Sequence, residues 1–204
     1  ITVSIYINRI AATGDEEFVH VRAHATNNPA VGDDVWVLTT IPYTAPWSDD
    51  METTPAMGKA YWSPWGLWHS VDSASPYPEW YSFDTSWWYG QDATGDHDTG
   101  SWNYGTLVSP PIDLSSAIVA GVGFEHWYDG DQWANVRQVM VSADGGDWQS
   151  VETLDNYEPL ETWLHHSVNL DDYAGNVIRL GFKFDLGQFG WGSANAPAEP
   201  QNGW

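Results

Sequence analysis

The stretch "DATGDHDTG" at residues 92–100 places Asp92, Asp96 and Asp98 in one glycine-containing loop. Calcium takes roughly six to eight oxygen ligands, and flexible carboxylates and carbonyls of this kind supply them. The same acids serve equally as Asx-turn acceptors in a solvated loop. The spacing is not that of an EF-hand, which needs a D-x-D-G core and a distant Glu. A second acidic group, Glu125, Asp129 and Asp131, follows in "FEHWYDGD" at 124–131. If the two loops meet at one end of a sheet structure, their carboxylates share an ion. Ca2+ is therefore the expected cofactor, with these six acids as its candidate ligands.

The other reactive residue types point away from catalysis. His20 and His24 lie on one face of an expected strand, about 13 Å apart at a strand's rise, too far to chelate one zinc. His165 and His166 are adjacent and so face opposite ways. The chain contains no H-E-x-x-H, no G-x-S-x-G and no Cys, which removes zinc-peptidase, nucleophile-elbow and thiol chemistry. A carboxylate pair for glycoside hydrolysis depends on separation in space and is not legible here. The expectation is a non-enzyme.

Aromatic residues are the second anomaly: 15 Trp, 10 Tyr and 6 Phe. This load argues against disorder, because such side chains offset chain entropy when buried. Trp62, Trp65, Trp68, Trp80, Trp87, Trp88 and Trp102 either pack a core with its long loops or form a sugar-binding platform. For the platform the candidates are Trp65, Trp88 and Trp102. Trp87 and Trp88 alternate on a strand, so one is expected in the core and the other outside.

Charge limits the partners. Six Lys and Arg stand against 28 Asp and Glu, a formal net charge of −22. Such a field repels nucleic acid and anionic membrane surfaces, attracts cations and suits a salty exterior. The longest mildly apolar run, 117–124, is far too short to cross a bilayer, so no membrane insertion is expected. The chain opens on Ile with no basic-then-apolar leader, as a processed or trimmed chain does. No N-x-[ST] sequon occurs.

The elements that must carry these groups are strands. Period-two or short buried-type runs recur at 1–10, 18–25, 35–40, 66–73, 86–90, 105–114, 120–129, 136–154, 162–170 and 176–186. "TNNPAVGDD" reads as turn chemistry, Gly145-Gly146 as a hairpin signal and "NLDDYAG" as one helical turn. Short strands, frequent turn signals and no interleaved helices indicate an all-β, antiparallel jelly-roll β-sandwich. The expected organisation is an N-terminal β-strand extension (1–45), a linker or crossing loop (46–60) and the sandwich (61–204).

The ordered pieces "SWWYGQ…GTLVSPPIDLSSA…FEHWYD…VMVSADGGDW…VNLDDYAGNVIRLGFKFD…NGW" resemble a MAM-like jelly-roll domain. Domains of this kind occur in secreted immune-inhibitor-A-type metallopeptidases and in prokaryotic surface proteins. The resemblance covers roughly residues 61–204. It implies a non-catalytic extracellular or cell-surface module, often holding calcium, and makes "DGGDW" a structural turn. The family pattern continues after its final Gly-Trp with a further strand, whereas this sequence ends at Trp204. The strand "ITVSIYINRI", with Ile1, Val3, Ile5 and Ile7 on one face, then has two expected partners. It pairs locally with "FVHVRAHA", or it fills the closing position of a sandwich, in its own chain or in a neighbour's.

Two functions follow as expectations. One is a structural or adhesive surface protein that self-associates into fibres by strand complementation through Ile1, Val3, Ile5 and Ile7. The other is a carbohydrate-binding accessory module of a secreted hydrolase. Its partners are further copies of itself, a cell-surface protein or a polysaccharide.

Overall fold

A computed structural model describes residues 16–25, 28–40, 43–52, 61–72, 85–129, 135–155, 159 and 161–186. In chain order the strands are β1 (Glu16–Ala25), β2 (Asn28–Thr40), β3 (Tyr43–Thr44), β4 (Ser63–Pro64), β5 (Trp68–Asp72), β6 (Thr85–Tyr89) and β7 (Tyr104–Val108). They continue as β8 (Ile112–Asp113), β9 (Gly121–His126), β10 (Val136–Ala143), β11 (Gln149–Thr153), β12 (Leu164–Asn169) and β13 (Val177–Asp185). A 3-10 turn at Asp171–Tyr173 lies inside the expected "NLDDYAG". The protein is all-β.

β13, "VIRLGFKFD", is the spine. Ile178, Leu180, Phe182 and Phe184 alternate with Arg179, Gly181, Lys183 and Asp185, so one face is apolar. β13 pairs antiparallel with β10 on one side and β7 on the other, giving the order β11-β10-β13-β7-β4. β8 continues beside the start of β13, and β3 runs parallel to β8, completing seven strands. A second layer consists of two antiparallel pairs, β12-β9 and β5-β6.

Packing between the layers makes the sandwich. Val139, Val141, Ile178 and Leu180 of the large sheet bury against Val168 and Leu170. Further along, Leu107 and Phe184 meet Trp62, Trp68, Tyr89 and Tyr128, with the Tyr89 ring stacked 4.5 Å from Phe184. Each such burial stabilises by about 1.5–3 kcal/mol.

Two local readings shift. The hairpin after β10 turns on Asp144 (φ 50°) and Gly145 (φ 74°), with Gly146 N–H donating to Ala143 O at 2.8 Å. Positive φ thus falls one residue earlier than Gly145-Gly146, because an Asp-Gly pair meets the same two left-handed positions. "TNNPAVGDD" is not all turn: β2 starts at Asn28, and His24 faces Gly32 before the register shifts to Ala25–Asn28. β1 takes β2 as its partner from Glu16 onward. The "ITVSIYINRI" strand lies outside the described residues.

One buried polar knot sits in the core. Arg137 is fully buried, with its guanidinium 3.8 Å from the Tyr128 ring centroid. It donates to Asp155 O at 2.6 Å, and its Nη1 lies 3.4 Å from His126 Nδ1. Arg has no acceptor, so His126 Nδ1 accepts and the imidazole is neutral. Burial first, then the Arg137 and His166 charges, lower the His126 pKa to about 4.

Candidate functional site

Three of the exposed aromatic side chains among the described residues converge at one end of the large sheet. Trp65 follows β4, Tyr104 opens β7, and Trp102 lies two residues before it. They are 55%, 39% and 48% exposed. Trp102 stacks on Tyr104 with centroids 4.8 Å apart and planes at 29°. Trp65 meets the other side of Tyr104 edge-on, also at 4.8 Å. Exposed aromatic carbon in one patch marks a binding surface, and Trp offers both an apolar face and a polar edge.

The platform is fixed on all sides. Trp102 Nε1 donates to Asp185 Oδ1 at 3.0 Å, and Lys183 Nζ lies 3.1 Å from Asp185 Oδ2. Asp185 stands opposite Tyr104 in the β13–β7 ladder, and Lys183 stands opposite Thr106. Trp65 is held by its own N–H, which donates to Thr106 O at 3.0 Å. Two glycines permit that approach. Gly66 has φ +77°, and a Cβ there would stand 2.6 Å from Tyr104 O; a Cβ on Gly105 would overlap Trp65 O and lie 2.6 Å from the Tyr89 ring. On the same outer face Trp148, 40% exposed, covers Gly181, four residues or about 13 Å along β13 from Asp185.

The acidic loop is the brace of this platform. Asp96 Oδ1 accepts from Thr94 Oγ1 (2.8 Å), Asp98 N–H (3.1 Å) and Gln91 Nε2 (3.2 Å). Asp98 Oδ1 accepts from Gly100 N–H at 2.8 Å, and Asp92 Oδ1 lies 3.1 Å from His69 Nε2. Asn103 closes the loop: its Nδ2 donates to His97 O at 2.9 Å, and its Oδ1 accepts from Tyr89 OH at 2.7 Å. The next residue back is Trp102. Desolvation by the core and the neighbouring Asp185 charge push the Tyr89 phenol well above its ordinary range, so it stays a donor.

The second acidic group does not join the first. Glu125 Oε1 lies 2.7 Å from His165 Nδ1, across the β9–β12 ladder. Among the described residues no three His, Cys, Asp or Glu side chains gather as a metal-holding cluster. Asp92, Asp96 and Asp98 thus hold turn or histidine partners, and Glu125 holds His165. Asp131 lies outside the described residues, as do Ile1, Val3, Ile5 and Ile7. His165 Nε2 also lies 3.1 Å from Ser167 Oγ, which gives a Ser-His-Glu string. Ser167 and His165 are exposed on a sheet face, where water screens the charge separation that acyl transfer needs.

Trp88 corrects one expectation. It is fully buried, and its indole packs edge-on against His69 at 5.2 Å. A ring with no exposed face cannot stack on a ligand. Trp87, its neighbour on the other face, is the partly open one. Tyr104, Asp185 and Lys183 were not singled out from the sequence. The outward alternation of β13 was the available signal for the last two.

No family model matches this chain. No curated protein matches it either. Seven solved chains do. One is a structure of carbohydrate-binding modules from the β-sandwich superfamily, described for their promiscuous specificity. It is 8% identical, with a TM-score of 0.40, and the match covers 85% of this chain and 68% of that one. A likeness of that size carries no argument, and any ligand is argued from the side chains alone.

Proposed function

We propose that this protein is a non-catalytic extracellular adhesive module, of the MAM-like jelly-roll kind, that holds neutral polysaccharide on the Trp65–Tyr104–Trp102 platform. The observation that supports it is the exposed, pre-set ring cluster with Asp185 and Lys183 at its border. Pyranose rings present apolar C–H faces to aromatic carbon and hydroxyls to the polar border. A ring held by Asp185 loses little freedom on binding, which lowers the cost of association. A net charge of −22 repels acidic polymers and leaves neutral ones as the preferred class.

Affinity electrophoresis of the full chain in gels containing soluble β-glucan, xylan or polygalacturonate tests the reading. Retardation is expected in at least one neutral polymer and not in polygalacturonate. Trp102→Ala weakens that binding at least about tenfold, as truncation of a central aromatic anchor does. Absence of retardation in every neutral polymer, or retardation unchanged in both Trp102→Ala and Trp65→Ala, refutes it.

A further inference from the structure

The two layers of the sandwich do not meet everywhere. A cavity of about 620 Å³ is lined by residues of β9 and β6 and by the inner face of the large sheet. That is the volume of a small-molecule site. Its floor is apolar, with Leu107, Ile178, Leu180 and Phe182. Segment 45–51 forms one wall and brings Trp47 and Asp49 into the lining, where Trp62 joins them. The Trp47 and Trp62 ring centroids are 6.0 Å apart with planes at 38°, and Phe182 lies 6.1 Å from Trp62. Two tilted indoles beside one carboxylate form a corner of the cavity.

The charge of the lining has one sign. Asp49 Oδ1 accepts from Met51 N–H at 2.8 Å, and Oδ2 accepts from Trp62 Nε1 at 2.9 Å. Both donors are neutral, so they orient the carboxylate and leave its charge in place. Glu125 adds a second carboxylate from β9, and no Lys or Arg stands among the described lining residues. His126 lines the cavity as a neutral imidazole that accepts from Arg137, and Arg137 itself is not part of the lining. An anionic ligand would therefore meet carboxylates without a counter-charge. A neutral apolar ligand would strip water from Asp49 and return nothing to it. A cation with an apolar body suits every surface: indole faces attract its charge, Asp49 balances it, and the floor buries its carbon. Both Asp49 oxygens already hold N–H donors. A quaternary ammonium, which has no N–H of its own to place, thus fits better than a primary amine.

We propose that this cavity binds a small quaternary ammonium ion with an apolar tail, the charged head at the Trp47–Trp62 corner beside Asp49 and the tail on the floor of the large sheet. The site is independent of the saccharide platform, which lies on the outer face of that sheet.

Isothermal titration of the full chain with hexyltrimethylammonium, 1-hexanol, hexanoate and tetramethylammonium separates the charge from the tail. Hexyltrimethylammonium should occupy a single saturable site at least about tenfold more tightly than 1-hexanol, and hexanoate should not bind. Tetramethylammonium, which lacks the tail, should bind at least about tenfold more weakly than hexyltrimethylammonium. Asp49→Asn keeps an oxygen acceptor for Trp62 Nε1 and removes the charge. It should weaken hexyltrimethylammonium at least about fivefold and leave 1-hexanol unchanged. Trp47→Ala should weaken hexyltrimethylammonium by a similar factor. Saccharide retention should be unaltered in both variants, which keeps this site separate from the platform. Absence of saturable binding overturns the proposal, and so do equal affinities for hexyltrimethylammonium and 1-hexanol; both comparisons use the wild type and stand even if a variant fails to fold. Cation binding that neither Asp49→Asn nor Trp47→Ala weakens also overturns it, marking counterions gathered by a net charge of −22.

Discussion

Acid should weaken this protein through one histidine. His126 is 5% exposed, and Arg137 Nη1 lies 3.4 Å from its Nδ1. The guanidinium keeps its charge at any working pH. A proton on His126 would therefore set two buried cations against each other, with His166 centred 5.9 Å away. In the unfolded chain the imidazole titrates near its ordinary 6.5, and in the fold near 4. Between those values the unfolded state binds more protons, so stability falls as pH falls from about 6.5 and levels off below about 4. The difference is worth about 3 kcal/mol. Most of it is lost by pH 4.5. Urea midpoints for the wild type and His126→Gln at pH 7.0 and 4.5 isolate the effect. Gln keeps an acceptor for Arg137 and does not titrate. The shared loss from other groups cancels in the difference, and so does the gain from reduced charge repulsion. The wild type should lose about 2–3 kcal/mol more than the variant across that interval. Equal losses refute the argument. Asp113, Asp144 and Asp171 add a separate decline at lower pH. Hydrogen bonds from Ser115, Val177 and Ala120 respectively hold these carboxyls below their ordinary range.

Two further outcomes can be checked in the same preparations. Asp96→Ala should lower Tm measurably and weaken saccharide retention, whereas Asp96→Asn should restore most of both with or without added calcium, since an amide oxygen can replace Oδ1 as the turn acceptor; an Asn variant as impaired as Ala, and rescued by millimolar calcium only in the wild type, would instead mark an ion site. Gly105→Ala should cost about 1–3 kcal/mol, because the new methyl overlaps the Trp65 carbonyl. Thermal melts check that, and a wild-type Tm would show that the two strands can separate freely.

Much of the fold was legible because sheets write a period of two. β13, β10 and β9 alternate plainly, and Pro110-Pro111 marks the break between β7 and β8. The 46–60 reading is harder to see from spacing, since residues 45–51 take their shape from contacts such as Trp62 Nε1 to Asp49 Oδ2, 2.9 Å apart and 13 residues away. For the site, composition pointed to the tryptophans but not to which faces open outward. Trp88 reads like Trp102 in sequence, yet Trp88 points into the core from β6 and Trp102 stands in the loop before β7. In the acidic loop the carboxylates are legible in the sequence, while the N–H and O–H groups that meet them are not. Gly66 and Gly105 give no signal of their own until the Tyr104 carbonyl is seen against Gly66 and the Trp65 carbonyl against Gly105.

Pro64 gives the molecule a polarity. Among the described strands β4 is the terminal one of the large sheet beyond β7, and Pro64, opposite Leu107, has no N–H to offer a further strand. That border works as a stop: the large sheet cannot recruit another chain there, so copies do not zip together side by side across the ring platform. The opposite border of the large sheet is β11, which contains no Pro, so strand addition to that sheet is directed to the side away from Trp65, Tyr104 and Trp102.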